Sequence, residues 1–131
     1  MKILIVDDSS SCRLRVSKIL NEAPNDYYVF QAENGVEALS IIEKNSGLDI
    51  ILSDINMPEM DGIALLKALR QRKDTEPLPF VIYSTECSEE LKAIAKDFNA
   101  SAWLLKPAKP ETILMAINRI SKSIMFLPEK S

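Results

Sequence analysis

Histidine is absent from all 131 residues. That excludes imidazole-activated serine or cysteine nucleophiles, His-ligated metals and a phosphohistidine carrier. Glycine is nearly as scarce: the three present, Gly35, Gly47 and Gly62, are too scattered for a G-x-G-x-x-G turn or a P-loop. Cys12 and Cys87 lie far apart in no metal-like spacing, so they read as free thiols filling apolar space in a reducing compartment. Apolar runs such as Ile113–Ile117 fall far short of the roughly 18 residues that would suggest a membrane span. The start, Met1-Lys2 followed by Ile3–Val6 and two aspartates, is too short and too acidic for a signal-peptide core. Sixteen basic residues against nineteen acidic ones give a net charge of −3, and the basic positions form no dense run, which argues against a nucleic-acid partner. The expectation is a cytoplasmic protein with neither membrane nor nucleic acid as its partner.

What is present is the composition of one soluble globular domain, 47% hydrophobic and 27% charged. With histidine gone, any chemistry must run on carboxylates, hydroxyls or lysine.

Five short apolar runs, Ile3–Val6, Tyr28–Gln31, Ile50–Ser53, Phe80–Ser84 and Trp103–Leu105, alternate with segments of helical period. This is the signature of βα units on a parallel sheet, and the continuous apolar character fits strands covered on both faces. The second run is the least apolar, as an edge strand should be. Five helices are expected, on the stripes Cys12/Val16/Ile19/Leu20, Val36/Leu39/Ile42, Ile63/Leu66/Leu69, Leu91/Ile94/Ala95/Phe98 and Ile113/Ile117/Ile120/Ile124. Ser9 is placed to cap the first helix, Gly47 to end the second in a left-handed conformation, and Pro110 to open the last. Asp74–Pro79 reads as a loop. A domain over 1–122 and a short apolar tail over 123–131, packing back on the domain, complete the organisation.

Taken in order, the strand ends carry Asp7-Asp8, then Asp54, then Ser84-Thr85, then Lys106-Pro107. Ligand sites in open α/β sheets lie outside the carboxyl ends of strands, so these groups should converge. Three carboxylates held together repel unless a cation neutralises them, and a hard divalent ion such as Mg²⁺ suits oxygen ligands. Acids, a metal, a lysine and a hydroxyl are what phosphoryl transfer requires, with Asp54 as the acceptor forming an acyl phosphate.

Asp7-Asp8, Asp54-Ile55-Asn56-Met57-Pro58-Glu59-Met60-Asp61-Gly62, Ser84 and Lys106-Pro107 together resemble the signature set of receiver domains in bacterial two-component response regulators. The similarity runs from Lys2 to about Ser121, and is strongest to stand-alone receivers of the chemotaxis kind. It implies a flavodoxin-like, doubly wound α/β fold with a five-stranded parallel sheet in the order 2-1-3-4-5 and five helices. It also implies a phosphoacceptor switch rather than an enzyme, one that assists its own phosphoryl transfer and dephosphorylation. Asp54 would be phosphorylated by a sensor histidine kinase or by small acyl phosphates. Asp8, Asp54 and the backbone carbonyl of Asn56 would hold Mg²⁺ directly, and Asp7 through water. Lys106 and Ser84 would contact phosphoryl oxygens, Thr85 being a loop neighbour.

The lysine must reach back over the site, so the Lys106–Pro107 bond is expected to be cis. The resemblance further implies a downstream partner on the face of the fourth and fifth helices and fifth strand, near Lys92, Lys96, Ala102 and Trp103. Two departures from the pattern concern output. Trp103 stands at the switch position that the resemblance pairs with Ser84, where Tyr, Phe or His is usual, and its larger ring has less room to turn inward beside Ser84. Ala108 stands where Phe is commoner, which removes an aromatic anchor. Ile55 follows the acceptor where many relatives carry tryptophan, and Asn56 and Glu86 occupy positions that tune dephosphorylation. Three rivals fit less well. A Mg²⁺-dependent aspartyl-phosphate phosphatase wants an acid at position 56, a flavin module would lose its phosphate to Asp7-Asp8 repulsion, and a non-phosphorylated interaction module leaves the intact set unexplained.

Overall fold

The computed structural model describes the backbone of residues 1–130 and the side chains of residues 1–122. Its elements alternate: β1 Lys2–Val6, α1 Ser10–Glu22, β2 Tyr28–Ala32, α2 Gly35–Lys44, β3 Ile50–Ser53, α3 Gly62–Arg70, β4 Phe80–Ser84, α4 Glu89–Asp97, β5 Ala102–Leu105 and α5 Pro110–Lys130. All strand pairs are parallel and the order is β2-β1-β3-β4-β5, the expected doubly wound sheet. The winding reverses between β1 and β3, which pair directly with Val6 opposite Ser53.

Two apolar layers follow from the alternation of side chains along each strand. Leu4, Val6, Ile51, Phe80 and Ile82 pack on one face with Ala38, Leu65, Leu66 and Leu69 from α2 and α3. Ile3, Ile5, Ile50, Leu52 and Val81 pack on the other with Val16, Leu20, Ile113 and Ile117 from α1 and α5. Every residue of β3 and β4 is buried, whereas the edge strands β2 and β5 are mostly half-buried or exposed. Fully burying each large side chain contributes about 1.5–3 kcal/mol, so these layers supply the main stabilisation.

Helix ends follow local chemistry. The Ser9, Asn34, Asp61 and Ser88 side chains accept backbone N–H groups in the first turns of α1, α2, α3 and α4. Pro110 opens α5, where a missing N–H costs nothing. Three expectations differ from the structure. Cys87 is exposed in the loop between β4 and α4 and fills no apolar space. Val36 is 51% exposed, because α2 turns Gly35, Ala38 and Ile42 inward and the residue after Gly35 is rotated about 100° away from that face. Gly47 does have a positive φ of 94°, but it lies in the turn before β3 and not at the helix end. The cap there is Asn45, whose amide Nδ2 donates to the Ile41 carbonyl at 2.9 Å. The packing expected of the tail from Ile124 onward lies outside the described residues.

Arg70 closes the far end of α3 against the chain that follows. Its guanidinium donates to the carbonyls of Phe98, Glu76, Leu78 and Asn99 at 2.8, 2.8, 2.8 and 3.0 Å.

Candidate functional site

The sheet's hydrogen bonding runs one residue past three strand ends. Asp7 N–H donates to the Ala32 carbonyl at 3.0 Å, Asp54 N–H to Val6 at 2.9 Å and Lys106 N–H to Ser84 at 2.9 Å. Three candidate site residues are thereby fixed by the ladder, and their side chains share one end of the sheet.

Among the described residues, carboxylate oxygens of Asp7, Asp8 and Asp54 all lie within 4.8 Å of one another. Asp7 is buried, Asp54 half-buried and Asp8 exposed, so the group opens to solvent on one side. Lys106 Nζ sits 2.6 Å from Asp7 Oδ2 and 3.0 Å from Asp54 Oδ2. Each acid's other oxygen is oriented by backbone: Ser9 N–H donates to Asp7 Oδ1 at 2.9 Å and Ile55 N–H to Asp54 Oδ1 at 2.7 Å. One ammonium among three carboxylates leaves the cluster net negative, and the hard oxygen donors fit a hard divalent cation.

Burial alone would depress the Lys106 ammonium. Hydrogen bonds and charge from Asp7 and Asp54 outweigh that and hold it above the usual lysine range. Beside it, burial first and the Asp7 carboxylate second push the Cys12 thiol up to about 11, so this half-buried cysteine stays protonated and unreactive.

Gly62 explains part of the motif after Asp54. A Cβ there would lie 2.1 Å from the Asp54 carbonyl oxygen, so only glycine lets α3 start against the Asp54 backbone, where Gly62 N–H also donates to the Ile55 carbonyl at 2.9 Å.

The loop after β4 closes the far side. Ser84 is fully buried and its Oγ accepts the Glu86 N–H at 3.2 Å, while Thr85 is exposed. Asn56 Nδ2 donates to Glu86 Oε1 at 3.1 Å, and the Trp103 indole N–H donates to the Glu86 carbonyl at 3.1 Å. Glu86 thus touches Asn56 with its side chain and Trp103 with its backbone. The Trp103 ring is half-buried on the α2–α3–α4 side of the sheet, with Lys92 Nζ 6.0 Å from its centroid. Ile55 is buried, and the Lys106–Pro107 bond is cis.

Ala108 does not leave its loop without an aromatic anchor. The anchor is supplied from β4: Ala108 N–H donates to the Tyr83 hydroxyl at 3.1 Å. Arg15 donates to that hydroxyl at 3.2 Å and to the Ala108 carbonyl at 2.8 Å. Arg13 likewise donates to the Asp7 carbonyl at 2.6 Å. Neither arginine nor Tyr83 stands out in the sequence, because Tyr83 reads as one more apolar strand residue and the arginines as solvated helix charges. A groove of about 420 Å³, lined by Gly47, Asp49, Arg72, Asp74 and Pro79 among others, lies at the opposite end of the strands.

The response regulator receiver domain family matches residues 3–118. The chain belongs to that family. This receiver domain is 34% identical over 113 residues to the chemotaxis protein CheY homologue of Campylobacter jejuni, with 86% of each chain covered. It is 31% identical over 113 residues to chemotaxis protein CheY1 of Helicobacter pylori, covering 86% of this chain and 90% of that one. The solved structure of chemotaxis protein CheY4 of Vibrio cholerae superposes with a TM-score of 0.83 at 41% identity, over 91% of this chain and 97% of that one. The receiver domain is therefore CheY-like, a signalling switch of the two-component class. No helix of the described residues is long and apolar enough to cross a membrane.

Proposed function

We propose that this protein relays a signal by accepting a phosphoryl group on Asp54 from a sensor histidine kinase, and that the acyl phosphate changes its affinity for a downstream protein. The observation that carries this reading is the Asp7, Asp8 and Asp54 cluster with Lys106 3.0 Å from Asp54 Oδ2. A carboxylate oxygen of Asp54 attacks phosphorus, the bond from phosphorus to the kinase's histidine nitrogen breaks, and that nitrogen keeps the electron pair. Lys106 is already paired with the acceptor, so its ammonium can follow the new phosphoryl oxygens, and the Ser84 hydroxyl offers a second donor. Asp8, Asp54 and the backbone carbonyl of Asn56 are the residues assigned to hold Mg²⁺, with Asp7 acting through water. When bound, that ion supplies positive charge to the phosphoryl oxygens.

Output is assigned to the face of α4, β5 and α5. Two exposed apolar side chains, Leu105 at 54% and Met115 at 58%, support this, as does a groove lined by Ala102, Leu104, Met115, Ala116 and Ile120. Lys92 and Lys96 of α4 and Trp103 of β5 are assigned to the same output face, Lys92 Nζ lying 6.0 Å from the Trp103 ring centroid. A cytoplasmic setting and a chemotaxis pathway go with this reading, as does a division into a receiver over 1–122 and a tail over 123–131. Incubation with acetyl phosphate tests the chemistry: intact mass should show one added phosphate in Mg²⁺ and none in EDTA. Equal labelling in both, or labelling in neither, contradicts it.

A further inference from the structure

We propose that Tyr83 and Arg15 are positioning residues for Lys106, an inference that rests on the reading of Asp54 as phosphoacceptor. A lysine stem has four carbons and about 2 kcal/mol of rotamer entropy, so its ammonium must be held from outside if it is to meet a phosphoryl group in one place. Lys106 begins the short connection between β5 and α5. Its own N–H is tied to Ser84, and two residues later both backbone polar groups of Ala108 are taken: the N–H by the Tyr83 hydroxyl and the carbonyl by Arg15 Nη2. Arg15 Nη1 joins the two halves by donating to the Tyr83 hydroxyl at 3.2 Å. A guanidinium fork reaching two acceptors at once is an arrangement that a lysine cannot reproduce.

Tyr83 also touches the lysine itself. Its ring centroid lies 5.5 Å from Lys106 Nζ, within range of a cation–π attraction, and the residue is 4% exposed. One aromatic residue therefore supports the ammonium with its ring and the loop carrying that ammonium with its hydroxyl. Tyr83 and Ser84 are neighbours on β4, so a single strand end sets both the hydroxyl and the lysine proposed to meet phosphate.

The test is a double-mutant cycle read as the rate of phosphorylation by acetyl phosphate in Mg²⁺. Tyr83→Phe keeps the ring and loses the hydroxyl, and Arg15→Gln removes the fork. Each should slow labelling roughly three- to tenfold, the factor expected for about one hydrogen bond. In a Lys106→Ala background Tyr83→Phe should change the rate no further; equal slowing in both backgrounds, or none in the native one, overturns the proposal. The Lys106 ammonium resonance in ¹⁵N–¹H spectra gives a second readout. It should weaken in both clamp variants, and an unchanged signal overturns the proposal even where Lys106→Ala labels too slowly to complete the cycle. If the native protein takes no phosphate, the Asp54 reading fails, and the ammonium resonance still decides whether the clamp holds the lysine.

Discussion

Replacing Lys106 by methionine keeps an apolar stem of similar length and deletes the one cation that bridges Asp7 and Asp54. The Asp7 and Asp54 side chains are only 3% and 12% exposed, and the Lys106 side chain 16%, so the pair is buried rather than solvated. Removing one partner of a buried pair costs about 3–5 kcal/mol, because an uncompensated charge remains. The opening toward Asp8 lets solvent relieve part of this, so the loss should be near the lower figure, about 3 kcal/mol. In a domain of this size that corresponds to a fall in Tm of roughly 10 °C. Mg²⁺ should then compensate, since the acids face it without a competing ammonium: at ten times its Kd it would restore about 1.4 kcal/mol. Neutralising Asp54 as well, in the double variant Lys106→Met/Asp54→Asn, should recover stability by removing the repulsion. Urea unfolding of the native chain and both variants, in EDTA and across a Mg²⁺ series, measures all three quantities. A Lys106→Met variant as stable as the native protein in EDTA, or one that Mg²⁺ does not stabilise, would refute the reasoning.

Gly62→Ala sets a helix-propensity gain of up to about 1 kcal/mol against a clash with backbone that cannot give way, which costs about 1–3 kcal/mol and strains the bond to Ile55. Thermal unfolding should show a lower Tm, and a raised one would disprove the close approach. At pH 8 a thiol raised to about 11 is roughly one part in a thousand thiolate, so half-buried Cys12 should alkylate well after exposed Cys87. Peptide mapping after a short iodoacetamide pulse reads this, with Cys12 accelerating as pH approaches about 11; equal labelling at pH 8 contradicts it. Trp103 stands against the helical face beside Lys92 rather than over the carboxylates, so Mg²⁺ alone should change its fluorescence little, whereas phosphorylation that draws Ser84 and its loop inward should shift emission to the blue. Complete phosphorylation with fixed emission and quencher access would make Trp103 a static surface aromatic.

The parallel sheet was legible because β1, β3 and β4 are buried on both faces and so read as unbroken apolar runs, and the polar residues that end them could be aligned without knowing any distance. Ser9 and Pro110 were equally readable, since a cap depends only on its own first turn. Val36 misled because a spacing of three fits more than one face of a short helix, and only packing chose the face of Ala38. The clamp on Ala108 was invisible for a different reason: Arg15, Tyr83 and Ala108 come from three separate elements and meet only in the folded chain. The bridging of Asp7 and Asp54 by Lys106 is likewise tertiary, although the convergence of the three at one sheet end followed from topology.

The central claim is that Asp54 carries the phosphoryl group. Borohydride reduction of the protein after acetyl phosphate treatment in Mg²⁺ converts an aspartyl phosphate to homoserine, and peptide sequencing by mass spectrometry then locates it. The account predicts homoserine at position 54 alone and no label in an Asp54→Asn variant. Homoserine at position 7 or 8, a stable phosphate on Ser84 or Thr85, or full labelling of the Asp54→Asn variant would contradict it.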